Sequence, residues 1–192
     1  PPIPEDPPGT AGARPDSARP PWTAADVRFM THMIPHHAQA IVMSRRATTH
    51  GPSVEVQRLA ARIINAQQDE IAIMQQWLAD RRQAVPEAHT QMHAMGAGSA
   101  GGDHAQHAQH MRQMQEHADM PGMLSEAQLK QLDAGRGREF DRLFLTFMIQ
   151  HHTGAVTMIK ELLASPPQDE TALRLAADIS ADQTTEIARM QN

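Results

Sequence analysis

Two places in the chain set a methionine beside a pair of histidines: Met33-x-x-His36-His37 and Met148-x-x-His151-His152. On a helix, residues three and four apart share a face, so each Met sulfur lies within a turn of both imidazoles. Adjacent histidines point roughly 100° apart, so one ring of each pair can face a helix partner while the other turns to the flank. Each unit therefore offers one thioether and two ring nitrogens. Met43 and Met158 follow seven residues after His36 and His151, roughly 10 Å along the axis, so they need a second helix to join any such group. Thioethers select Cu(I), and imidazole accepts Cu(I), Cu(II) or Zn(II). The chain has no cysteine, which removes thiolate sites and disulfides together. A Met/His set without Cys points to copper, Cu(I) ahead of Cu(II), with zinc as the alternative. The plainer reading is that the histidines hydrogen-bond to Gln67, Glu70 and their counterparts while Met fills space.

A second concentration lies between Pro86 and Met123, where 38 residues hold six of the 12 His and six of the 13 Met. His104, His107, His110, Met114 and His117 are spaced by three or four residues, with Met111 beside His110. On a helix that is one face of ligands with no apolar backing. It suits a metal-collecting segment better than a plain polar linker, which has no use for so many Met.

The elements that must position these groups repeat. Asp26–Met43 and Asp141–Met158 agree at nine of 18 positions, and Arg58–Gln75 and Arg174–Gln191 at 11 of 18. In the first stretch the shared residues Asp26, Phe29, Met33, His36, Ala40 and Met43 fall at helical spacing, the stripe presented to a core. Thr23 with Asp26 makes a capping box, Ser53 caps a second helix to about Val85, and Ser125 with Gln128 opens a short one. Long helices are expected again over about 138–164 and 169–190. No segment alternates with period two, so the chain reads as all-α, with two duplicated helical hairpins closing into a four-helix bundle. Pro35 predicts a kink ahead of the first pair, and Asp141 is expected to pair with Arg138 or Arg142.

The organisation expected is a disordered Pro-rich tether over 1–21, a first hairpin over 22–85, a Met/His-rich connection over 86–124 and a second hairpin over 125–192. Residues 22–192 form one domain, and the connection lies outside its core. A net charge of −5 gives no basic surface for nucleic acid. No apolar run approaches the roughly 20 residues a bilayer requires. The chain does not begin with Met, and an export signal or lipid-attachment segment upstream is the expected reason.

Both halves resemble a bacterial family catalogued as domain of unknown function 305, placed in the ferritin-like group of four-helix bundles. The likeness rests on Phe140-Asp141-Arg-Leu-Phe144, Met148-Ile-x-His151-His152-x-Gly154-Ala155 and Met158. It continues in Gln183-x-x-Glu186-Ile187-x-x-Met190, in Gln67-x-x-Glu70-Ile71-x-x-Met74-x-x-Trp77-Leu78 and in Gly122-Met123-Leu124-Ser125. Gln39 stands where the family often has Gly, and Pro35 departs from Gln150 of the second repeat. The resemblance implies an exported, metal-associated bundle with copper-binding members and no established reaction.

The expected function is extracytoplasmic copper sequestration or transfer without catalysis. A ferritin-like di-metal enzyme is the first rival, but it would need Glu-x-x-His, and Glu70 and Glu186 are followed at that spacing by Ile73 and Arg189. A helical interaction module with structural His and Met is the second. With an ordinary imidazole pKa near 6.5, metal binding at the pairs should weaken between about pH 7 and 5.

Overall fold

The computed structural model describes residues 22–86, 88, 119–165 and 169–192. The Pro-rich tether and the ligand candidates His104, His107, His110, Met111, Met114 and His117 lie outside the described residues. Within them the chain forms five helices and no strand, which agrees with the all-α expectation. These are α1 (Ala24–Arg45), α2 (Val54–Asp80), α3 (Glu126–Ala134), α4 (Arg138–Leu163) and α5 (Glu170–Met190). None is long and apolar enough to cross a membrane.

The caps read from sequence form. Thr23 and Asp26 make the capping box of α1, Ser125 and Gln128 that of α3, and Ser53 caps α2, while Asp169, expected only at the start of its helix, caps α5. Each satisfies amide groups that the first helical turn leaves without partners. α1 runs unbroken through Pro35 and continues as a 3-10 turn over Arg46–Thr48. α2 stops at Asp80 instead of Val85, because Arg82 takes a left-handed φ of 55° and the Gln83 amide donates back to the Leu78 carbonyl at 2.9 Å. That is a Schellman ending, with Arg where Gly is usual.

Asp141 also departs from expectation. Arg142 pairs with Glu139, which leaves the Asp141 carboxylate to accept from the Ser53 amide at 3.1 and 3.2 Å. It thereby ties α4 to the start of α2. At the opposite end Asp169 accepts from Trp77 Nε1 at 3.0 Å and pairs with Arg81 at 2.8 Å, joining the end of α2 to the start of α5.

α1 packs on α2, α4 on α5, and α1 on α4, with α3 lying against α4. The apolar interior falls into two clusters, each drawing on all four long helices. One holds Phe29, Met33, Met74, Trp77, Met158, Leu162, Leu175 and Ile179. The other holds Met43, Leu59, Ile63, Phe140, Phe144, Met148 and Met190, with Leu129 and Leu132 of α3. Between them in each helix sit the polar residues of the repeat: His36 and His37, Gln67 and Glu70, His151 and His152, Gln183 and Glu186. Met120 and Leu124 are buried in these clusters, so the last residues of the connection contribute to the core.

Candidate metal centre

The two histidine pairs meet where α1 crosses α4. All four rings are buried with no exposed surface. His36 and His151 lie against each other, with ring centroids 3.8 Å apart and planes tilted by 40°. Within each pair the centroids are 6.4 and 6.3 Å apart, as the angular step of a helix requires. The second ring of each pair turns to its hairpin partner. His37 Nε2 lies 2.7 Å from a Glu70 carboxylate oxygen on α2, close but not aligned as a hydrogen bond. His152 Nε2 hydrogen-bonds Glu186 on α5, also at 2.7 Å. The plainer sequence reading foresaw these glutamates.

The proton bookkeeping of the rings decides what they can bind. His36 Nε2 lies 3.0 Å from the Pro121 carbonyl oxygen. A carbonyl only accepts, so in the neutral ring Nε2 carries the proton and Nδ1 keeps its lone pair. The Glu186 carboxylate holds the proton on His152 Nε2 in the same way. In both rings Nδ1 is buried without a partner, and neither nitrogen of His37 or of His151 forms a hydrogen bond. Gln67 Oε1 and both side-chain polar atoms of Gln183 are also buried and unpartnered. Each such group costs about 1–3 kcal/mol, so a layer of them opposes folding unless something binds there. Imidazoles that give Nε2–H to an acceptor and keep Nδ1 open have the tautomer of metal ligands with outer partners. Among the described residues no three His, Asp or Glu side chains converge as a metal-holding group. At most two such groups therefore stand together as candidate donors, fewer than the four that a closed structural zinc site takes.

Burial, seconded by the neighbouring His37, holds the pKa of His36 down at about 3. Burial and then His36 push His151 well below its ordinary value. These two rings are neutral far below pH 6.5. The expected weakening of metal binding between pH 7 and 5 is therefore corrected for this pair, which needs no deprotonation in that range. On the far side of the layer, burial raises the pKa of Asp182, and the charges of Glu70 and Glu186 add to the effect. Glu70 and Glu186 bring negative charge close to His37 and His152.

A short segment ahead of α3 closes the other side, and it explains why the two repeats differ. Gln39 donates to the Leu124 carbonyl at 3.1 Å and accepts from the Leu124 amide at 2.8 Å. Its counterpart Gly154 lies under Pro121 and Gly122, where an added Cβ would come within 2.0 Å of the Pro121 oxygen. Gly122 itself has φ +79°. Gln150, where α1 has Pro35, reaches the Gly122 and Met123 carbonyls at 3.4 Å and accepts from Gln128 at 2.9 Å. Both copies of the repeat face one unrepeated strap, so they meet it with different residues.

Of the methionines singled out by spacing, Met33 and Met158 fall in one apolar cluster and Met148 and Met43 in the other. The antiparallel run of α1 and α4 supplies the second helix that Met43 and Met158 needed. The layer thus has a methionine from each copy on either side. Three contributors escaped sequence reasoning: the Pro121 carbonyl, Asp182 and the inward position of Met120. Only Met120 left a signal, as one of the methionines of the connection.

The family described as Domain of unknown function (DUF305) matches residues 26–192, and the chain belongs to it. Among solved structures it is similar to a DUF305 fragment from Deinococcus radiodurans, at 30% identity over 90% of this chain and 96% of that one, with a TM-score of 0.67. A candidate secreted DUF305 protein from Streptomyces coelicolor matches at 28% identity, covering 86% of this chain and 89% of its own, with a TM-score of 0.66. CopM in its Cu(II)-bound form matches at 28% identity over 86% of this chain and 93% of that one, with a TM-score of 0.61. CopM is also known in Cu(I)-bound and Ag-bound forms. No curated protein matches the chain.

Proposed function

We propose that this protein binds copper outside the cytoplasm, holding or passing on the ion without chemical turnover. Its scaffold is read as a ferritin-like four-helix bundle made of two duplicated hairpins. The observation that carries the proposal is the buried layer in which His36 and His152 keep an unpartnered Nδ1 lone pair beside the unbonded rings of His37 and His151, with methionines on both sides. Cu(I) suits such a set better than zinc, because it accepts few ligands and binds thioethers. Candidate ligands are His36, His37, His151 and His152 with Met33, Met148, Met43 and Met158. The Met/His connection is read as a collecting segment. The metal-bound CopM structures support copper in this family, and the Streptomyces relative, described as secreted, supports a place outside the cytoplasm.

The His–Glu contacts favour a second reading, a polar layer that only specifies packing. Metal content of untagged protein and copper titrations under reducing and oxidising conditions test the first. Replacing His151 and His152 by Ala should remove one class of copper site and lower the thermal midpoint of the loaded protein more than that of the metal-free one. Equal losses with and without copper would favour the structural layer.

A further inference from the structure

The four rings have no exposed surface, so an ion that reaches them must pass between helices. The strap seals one side: the Pro121 carbonyl lies 3.0 Å from His36 Nε2, Pro121 and Gly122 cover Gly154, and Gln39 holds both backbone groups of Leu124. The opposite side is the seam between α2 and α5. α1 packs closely on α2, α1 on α4 and α4 on α5, whereas α2 and α5 approach each other least of the pairs that close the bundle. Apolar side chains fill the seam at both ends, Met74 and Leu175 at one and Ile63 and Met190 at the other. At the level of the rings it is polar. Glu70 and Glu186 are 13% and 14% exposed, so each carboxylate meets solvent while lying 2.7 Å from a buried ring nitrogen. Asp182 stands exposed on α5 outside them. Its pKa is raised by partial burial and then by the charges of Glu70, Glu186 and Asp178, against the opposing charge of Arg189, so carboxylates of both helices gather here. Behind them Gln67 and Gln183 are buried with amide atoms that have no partner. His37 Nε2, wholly buried, is directed at Glu70 without a hydrogen bond.

We infer that the α2–α5 seam is the entrance to the histidine layer, where Asp182 collects a cation from solvent and Glu70 and Glu186 relay it to His37 and His152. The inference rests on the copper reading above and adds the route by which the ion arrives and the residues that set its rate. Carboxylates around an opening with apolar walls raise the local cation concentration and the on-rate, an effect that salt screens. Carboxylate oxygen is a hard donor, so it holds a soft ion weakly and gives it up to nitrogen and sulfur.

The test mixes the full chain with Cu(I), supplied as its cationic acetonitrile complex, and follows uptake by stopped-flow ultraviolet absorbance, with equilibrium titration in parallel. The kinetic phase that disappears in His36→Gln/His151→Gln protein belongs to the layer. Asp182→Asn should slow that phase by about three- to tenfold at low ionic strength and by much less at high salt, because removing the charge removes steering. Its copper stoichiometry should not change. Glu161→Gln removes the same charge beside Pro121 on the strap side and should leave the rate as it was. Glu70→Gln/Glu186→Gln should slow the phase further than Asp182→Asn. An unchanged rate in Asp182→Asn that loads fully, or equal slowing by Glu161→Gln, would overturn the entrance and leave copper binding by the layer intact. An unmodified chain with no layer phase would overturn the copper reading, and the entrance with it.

Discussion

The two ends of the α1–α4 pair are written in one register and built for different purposes. At one end Phe140, Leu143, Phe144 and Phe147 fill the interior beside α3, and Phe140 stacks near Phe144 at 5.7 Å. At the other, Ala25, Arg28 and His32 stand at the matching positions and leave a cleft. Across from them Arg46 and His50 at the filled end are both bound to Asp133, while Glu161 and Ser165 border the opening. Within a repeated pattern the shared residues maintain the scaffold. The positions where the copies disagree show which end is filled and which is left open.

The largest expected effect is on the filled end. Phe144→Ala should cost about 3–5 kcal/mol in denaturant unfolding, as deletion of a fully buried ring does. Phe29→Ala, its counterpart beside the cleft, should cost measurably less, because one side of that ring already borders open space. Equal losses would mean that the two ends are packed alike and would break the comparison.

The strap gives the next effect. Gln39→Ala should destabilise by about 1–3 kcal/mol, because both the amide and the carbonyl of Leu124 lose their buried partner. Gly154→Ala should cost a similar amount for the opposite reason, by crowding Pro121. Chemical denaturation of both variants checks this, and a neutral Gly154→Ala would mean that the strap is not seated as described.

The histidine layer between the two ends should show itself in acid. His36 has a folded pKa of about 3 against about 6.5 in the unfolded chain. Between those values the unfolded state binds more protons, so stability rises with pH. This contribution is complete above about pH 6.5 and is lost as pH falls toward 3, with a slope of up to about 1.4 kcal/mol per pH unit for each such ring. His151 adds to it in the same direction. Unfolding of metal-free His36→Gln should show a shallower slope across that window, and an unchanged slope would refute the assignment. The smallest effect belongs to the cleft itself: His32→Phe should shift metal-free stability by no more than about 0.5–1 kcal/mol, and upward if the ring fills the space. A larger loss, measured by thermal unfolding, would make His32 a structural residue.

Much of this was legible in sequence because it is local. The helix stripe around His36 and the boxes Thr23/Asp26 and Ser125/Gln128 follow from spacing alone, and the plainer reading named Glu70 and its counterpart among the partners of the pairs without saying which ring each meets. What stayed hidden depends on a third segment. Asp141 reaches a Ser53 amide 88 residues away, and nothing beside it in sequence says so. Gln39 and Pro35 were visible as departures, but their meaning lies in a strap that has no repeat. The neutral state of His36 at moderate acidity comes from burial, which spacing does not measure. Arg82 carries no mark of a left-handed residue, so the end of α2 was set too late.

The division of the interior into two clusters has one more consequence. Each cluster takes side chains from both hairpins, so neither hairpin owns a complete interior. A chain cleaved between them should behave as two complementary fragments: each poorly structured alone, helical and cooperative when mixed, and able to exchange halves between molecules in proportion to concentration. The histidine layer is then formed at a junction that exists only after association, and any metal held there would report on assembly as well as on ligand chemistry.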